Sequence, residues 1–149
     1  MSAAGDALKK VPLFRDMPSG SVERIAKAAT PVSYRAGQIV FSQGDPGLGF
    51  FVVLSGRVSV RLDGKEVAQL PEGGFFGEMA LLDEYPRSAT VTAAQDTSCL
   101  EVKRPEFLRE LRSQPDVAFE MLAVLSKRVR DLDAKVRHLQ SSIPDEWLS

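Results

Sequence analysis

Apolar positions along the chain change period twice, and the changes divide it into three stretches. Val11-Pro12-Leu13-Phe14 is an apolar clip, and Pro18-Ser19-Gly20-Ser21 is a helix-start cluster. Val22, Ile25, Ala26 and Ala29 then recur at helical spacing, and Pro31 is expected to stop that helix. From Val32 to Lys103 the period becomes that of strands. Val32-Ser33-Tyr34-Arg35 alternates, Gly37 turns, and Gln38-Ile39-Val40-Phe41 runs on. Gln43 to Gly47 is a loop, and Phe50-Phe51-Val52-Val53-Leu54 is a β-rich run buried on both faces. Arg57-Val58-Ser59-Val60-Arg61-Leu62 alternates again, Asp63-Gly64 signals a tight hairpin, and Lys65 to Leu70 returns. Ala89 to Ala94 and Thr97 to Val102 add two short strands.

The third stretch is helical. Arg104-Pro105-Glu106 opens a short helix through about Arg112, with Pro105 suited to a first helical position and Phe107, Leu108 and Leu111 on one face. Gln114-Pro115-Asp116 opens the longest helix. Its Leu122, Leu125, Val129, Leu132, Val136 and Leu139 follow at intervals of 3, 4, 3, 4 and 3, a heptad seam. Many short strands with regular turn signals predict a mainly β domain, a jelly-roll barrel, with helices at both ends. The expected layout is a flexible segment at residues 1–10 and one domain at 11–140. Within that domain the β-roll covers about 31–103 and the C-terminal helices about 105–140, with an acidic tail at 141–149.

Composition narrows the chemistry. A chain of 149 residues with 44% apolar and 26% charged residues is an ordinary globular domain. A net charge of −1 gives no global pull toward nucleic acid or membrane. One cysteine, Cys99, supports neither an intrachain disulfide nor a cysteine-based zinc site, and it is read as a small core hydrophobe. One histidine, His138, leaves no metal-ligand set for a hydrolase, so neither enzyme activity nor a metal is expected. Without a spanning run or a secretory leader pattern, the expected location is the cytoplasm.

One stretch carries a specific chemistry. Gly73-Gly74-Phe75-Phe76-Gly77-Glu78-Met79-Ala80-Leu81-Leu82 places glycines before a carboxylate and a short apolar run. Asp83-Glu84-Tyr85-Pro86-Arg87-Ser88-Ala89-Thr90-Val91 then places an acidic turn before an arginine and small residues. Glycines let backbone N–H groups approach a ligand, and a helix opening after Gly77 would point its free N–H groups at an anion. Arg87 offers a permanently charged fork for phosphate oxygens. Ionised Glu78 can only accept, so its partner is a donor such as a sugar hydroxyl. Phosphate and ribose together are half of a nucleotide.

The run Phe76-Gly77-Glu78-Met79-Ala80-Leu81, followed by Pro86-Arg87-Ser88-Ala89-Thr90-Val91, resembles the phosphate-binding cassette of cyclic-nucleotide-binding domains. The resemblance extends to Leu13-Phe14, Tyr34-Arg35-Ala36-Gly37, Gln43-Gly44-Asp45 and Leu54-Ser55-Gly56, and covers roughly residues 10 to 135. It implies a β-roll that binds cAMP or cGMP without a cofactor. Arg87 would clamp the cyclic phosphate and Glu78 would accept from the ribose 2′-hydroxyl. Gly77, Met79, Ala80, Ser88 and Ala89 would complete the site. Val60, Leu62 and Val67 would form an apolar wall for the base, and Arg128, Leu132 and Lys135 on the last helix would act as a lid. Serine after the arginine implies a preference for cAMP with cGMP tolerated. Phe75 and Phe76 are read as core.

The expected function is a non-enzymatic sensor whose terminal helices move on ligand binding to regulate a partner. The Leu122–Leu139 seam is a candidate homodimer contact, and the unknown effector is a second partner. The residues after 140 are too few for a helix-turn-helix reader, so direct DNA binding is not expected, nor is membrane insertion. The alternative is a nucleotide-free interaction module with the same fold; a cyclic dinucleotide is a weaker fit for want of further arginines. Trp147 in the tail is a further candidate for contact with the pocket.

Overall fold

The computed structural model describes residues 1–83 and 85–141, without the side chains of Glu78, Met79 and Ser141. Glu84, Trp147 and the tail from 142 onward lie outside the described residues. Three helices open the chain: α1 (Ala3–Lys9), α2 (Pro12–Arg15) and α3 (Ser19–Ala28). Eight strands follow: β1 (Thr30–Tyr34), β2 (Ile39–Phe41), β3 (Gly49–Ser55), β4 (Arg57–Leu62), β5 (Lys65–Pro71), β6 (Phe75–Phe76), β7 (Thr90–Ala93) and β8 (Thr97–Lys103). A single 3-10 turn, Glu78–Leu81, stands between β6 and β7. Two helices close the described chain, α4 (Arg104–Ser113) and α5 (Pro115–Ser141).

The strands form two four-stranded antiparallel sheets, ordered β1-β8-β3-β6 and β2-β7-β4-β5. The fold is a β-roll flanked by helices, as the alternation and turn spacing predict. Phe51, Val53, Val58, Phe76, Val91 and Cys99 fill the space between the sheets. Burial pushes the Cys99 thiol up to about 11, so it sits there as a neutral hydrophobe. A second core lies between the first sheet and the helices. Phe14 stacks on Phe50 at 5.3 Å between ring centroids and meets Phe107 edge-on at 5.8 Å, which joins α2, β3 and α4. Arg24 of α3 holds the buried Glu110 of α4 through Nε–H bonds of 2.9 and 3.1 Å to its two oxygens, which ties α3 to α4.

Two expectations are corrected here. Residues 1–10 are not loose: Ser2 accepts from the Gly5 N–H and caps α1, whose Leu8 is fully buried in the helical core. Pro31 does not stop the preceding helix. The helix ends at Ala28, and Pro31 lies within β1, an edge strand where the missing N–H is tolerated. Phe75 and Phe76 pack against the cores as expected, and they do so as a short strand, β6, paired with β3. The Asp63-Gly64 hairpin is as expected, with φ of 51° and 83°, the left-handed pair that a two-residue turn requires.

Candidate functional site

The cassette is held from behind by the loop between β2 and β3. The Gly44 N–H donates to the Arg87 carbonyl (2.8 Å), and the Arg87 N–H donates to the Asp45 carbonyl (2.7 Å). The Gln43 N–H donates to Thr90 Oγ1 (2.9 Å), so this hydroxyl is spent on the scaffold. The Gln43 side chain also bonds Asp63 at the hairpin tip, through Nε2 to Oδ1 and from the Asp63 N–H to Oε1. The loop thus ties the β4–β5 hairpin to the strand that leaves the cassette.

These ties place Arg87 at the wall of a cavity of about 550 Å³. Phe41, Val60, Phe76, Gly77, Ala80, Asp83, Tyr85, Pro86, Ser88, Ala89 and Val91 complete its lining. Arg87 is only 9% exposed. Its Nη2 donates to the Gly49 carbonyl at 2.6 Å, and its guanidinium carbon lies 4.1 Å from the centre of the Phe41 ring. Its Nε is buried without a hydrogen-bond partner. Burial pushes the Arg87 pKa below its ordinary value, while the charges of Glu101 and then Asp45 act in the opposite direction. Among the described residues no carboxylate forms an ion pair with it. A buried cation lacking a direct counter-ion is costly, and an anion arriving in the cavity would offset that cost.

Gly77 is required by this arrangement. Its φ is +79°, and a Cβ placed on it would stand 2.6 Å from Arg87 Nη1. Gly47 has a related role on the opposite side: a Cβ there would meet the Tyr85 carbonyl at 2.9 Å and the Ala80 side chain at 3.2 Å. The glycines therefore let three backbone segments close around one guanidinium.

The structure gathers most of the expected cassette residues at this cavity. Gly77, Ala80, Arg87, Ser88, Ala89 and Val60 line it. Glu78 and Met79 lie in the 3-10 turn that follows Gly77, and their side chains are outside the described residues. That turn is one short 3-10 segment in place of an α-helix. Leu62 and Val67 do not line the cavity and are 43% and 59% exposed. For Val67 the cause is a bulge: Val60 pairs with Ala68 but Arg61 pairs with Glu66, which leaves Val67 extra on β5 and out of register with Val60. Arg128, Leu132 and Lys135 do not line it either. Val117, Met121 and Leu125 of α5 pack into or against the helical core, and residues 131–140 are exposed. His138 lies on this exposed stretch.

Sequence reasoning overlooked Phe41, the Gly49 carbonyl and Tyr85. Phe41 ends a short strand and carries no motif of its own. The clustered glycines 44, 47 and 49 were the available signal that backbone approaches something closely there. Among the described residues no helix is long and apolar enough to cross a membrane, and no group of three His, Cys, Asp or Glu is placed to hold a metal ion.

Comparison with known proteins agrees with this geometry. A family model described as the cyclic nucleotide-binding domain matches residues 31–114. The cyclic AMP receptor protein of Thermus thermophilus is 36% identical over 134 residues, covering 87% of this chain and 62% of that protein. A cAMP-dependent protein kinase regulatory subunit of Dictyostelium discoideum is 34% identical over 110 residues, 68% of this chain and 34% of its own length. The chain therefore spans less than two thirds of these curated relatives. The solved N-terminal domain of a transcriptional regulator from Streptomyces coelicolor superposes with a TM-score of 0.79 at 28% identity, covering 87% of this chain and 96% of that one. The matched span holds all eight strands but the first residue of β1, together with the arginine cavity, and on that basis the chain belongs to the cyclic nucleotide-binding domain family.

Proposed function

We propose that this chain is a non-enzymatic sensor of a cyclic mononucleotide, with cAMP preferred and cGMP tolerated. The observation that carries the reading is the buried Arg87 guanidinium, which faces the cavity with no ion-pairing carboxylate among the described residues. The cyclic phosphate supplies the missing anion there. Ser88 and Ala89 sit beside it for backbone and hydroxyl contacts, and Val60 offers an apolar wall for the base. Glu78 is assigned to the ribose 2′-hydroxyl from its place after Gly77. The names of two relatives, a cyclic AMP receptor protein and a cAMP-dependent kinase regulatory subunit, support cAMP as the first ligand to test.

Signal transfer is proposed to pass from the cassette to α4. Two neighbouring carbonyls favour this route: Gly49 accepts from Arg87, and Leu48 accepts from the Arg104 N–H at the start of α4 (2.9 Å). A phosphate that draws Arg87 toward the cavity would loosen or shift the Leu48-Gly49 segment and the helix tied to it. α5 follows α4 directly. On this reading it swings to bring Arg128, Leu132 and Lys135 over the cavity as a lid, or presents its Leu122–Leu139 seam to a second copy or an effector. Only a ligand with different affinity for two helix arrangements can shift them.

The test is isothermal titration calorimetry with cAMP and then cGMP on wild type, Arg87→Ala and Glu78→Ala, on protein shown to be folded and free of copurified ligand. Micromolar or tighter binding is expected for wild type, with a loss of about 2 kcal/mol or more in Arg87→Ala. Absence of binding by either nucleotide would sink the sensor and leave the fold as a protein-interaction module.

A further inference from the structure

Three aromatic residues line the cassette cavity, and they are not alike. Phe76 stacks on Phe51 at 5.1 Å with an interplanar angle of 8°, and it lies 5.7 Å from Phe41. Phe41 in turn supports the Arg87 guanidinium. Both rings are thus taken up by the core and the arginine. Tyr85 has no ring contact among the described residues and is 77% exposed, although it lies inside the cassette, two residues before Arg87. An aromatic ring left in water at the mouth of a cavity has its full stacking face available.

The Tyr85 backbone is fixed even though its ring is not packed. Its N–H donates to Asp83 Oδ1 at 3.2 Å, a local turn. Its carbonyl stands where any Cβ on Gly47 would collide. Pro86 follows and confines Tyr85 to extended backbone. Two residues of extended chain span at most about 7 Å, so the two backbone positions are close, and both residues line the same cavity. Anchored backbone, a free ring and a cavity whose lining also includes Val60 make a place for a planar group.

We infer that Tyr85 is a positioning residue for the base: its ring stacks on the purine of a nucleotide whose phosphate is held at Arg87. This rests on the cyclic-nucleotide reading above. It assigns to the cassette itself a cover for the base, at a point where the described part of α5 contributes nothing to the cavity lining. The hydroxyl is not needed for stacking, so a phenyl ring should serve as well.

The test is calorimetry of the full chain as wild type, Tyr85→Ala and Tyr85→Phe, with cAMP and with a base-free 3′,5′-cyclic ribose phosphate. Stacking predicts a loss of about tenfold in cAMP affinity in Tyr85→Ala, within the range found for one base on one aromatic ring. Tyr85→Phe should restore cAMP binding, and the base-free ligand should bind all three proteins alike. Equal losses for both ligands would assign Tyr85 to cassette integrity and overturn the inference. Unchanged cAMP binding in Tyr85→Ala would also overturn it while leaving the sensor intact. Wild type that binds neither ligand would overturn both readings.

Discussion

The β-roll and α5 put their aliphatic residues to opposite uses. In the roll, Val58 and Val91 are 0% and 2% exposed, and every ring near the arginine but Tyr85 has a partner. Along α5, the seam residues Leu122, Val129, Leu132, Val136 and Leu139 are all more than half exposed. Strand pairing and sheet packing close the first region within one chain. A helix gains little stability alone and needs a surface against its apolar stripe. The difference separates a region closed within one chain, the cassette cavity, from a helix face that the described residues leave uncovered.

The largest expected effect is on the complete region. Gly77→Ala should cost about 1–2 kcal/mol from its left-handed backbone alone. It should cost more because the new methyl must displace Arg87. Gly64 is the control, since it has a φ of +83° and nothing within 4 Å of an added Cβ. Urea unfolding of Gly77→Ala and Gly64→Ala, with cAMP titration of each, should show similar backbone costs but a binding loss of tenfold or more only at Gly77. Equal binding in the two variants would mean that the cassette tolerates a shifted guanidinium.

A smaller effect is expected at the junction between the regions. Glu110→Ala removes the carboxylate that joins α4 to Arg24 of α3. Glu110 is buried while the Arg24 side chain is 52% exposed, so solvent screens part of the pair. The expected loss is about 1–2 kcal/mol in urea unfolding. Arg24→Ala should lose at least as much, since it leaves the buried Glu110 carboxylate without its cation. If the layer of N-terminal helices and α4 transmits the signal, Glu110→Ala should also weaken the response of α5 to cAMP, read by hydrogen exchange over residues 115–141.

Much of this was legible in the chain, and the reasons differ by region. Alternation at Arg57–Leu62 and the Asp63-Gly64 pair specified a hairpin because period and turn chemistry agree locally. Gly77 and Arg87 were legible because a close approach and a charged fork need those residue types. Val67 was misplaced because a bulge on β5 leaves no mark in simple alternation, and Leu62 stands at the exposed end of β4 beside the hairpin turn. Pro31 misled because an edge strand tolerates what a central strand would refuse. Residues 1–10 misled because α1 is ordered by tertiary contacts, with Leu8 and Gly5 buried and Ala4 and Ala7 packed against the helical core. The support of Arg87 by Phe41 and the Gly49 carbonyl joins residues 46 and 38 positions apart, a long-range pairing that no local window contains.

The smallest effect on folding, and the sharpest test of the contrast, lies on the seam. Val129 and Val136 are 64% and 51% exposed, one heptad apart. Val129→Asp with Val136→Asp removes no packing within the chain, so the stability of a monomer should change by no more than about 0.5 kcal/mol per site. An aspartate placed inside a helix pair would be buried opposite its copy, and the pair would separate. The wild-type chain should therefore sediment as a dimer at micromolar concentration and the double variant as a monomer, with cAMP affinity at the cassette retained. The seam spans about two and a half heptads, short of the three or four asked of an independent coiled coil, so dimerisation should weaken on dilution. Wild type that is monomeric throughout, with α5 protected from hydrogen exchange only when cAMP is present, would assign the bare face to the lid. The expected contacts of Leu132 would then be with the ligand cavity and no longer with a second chain.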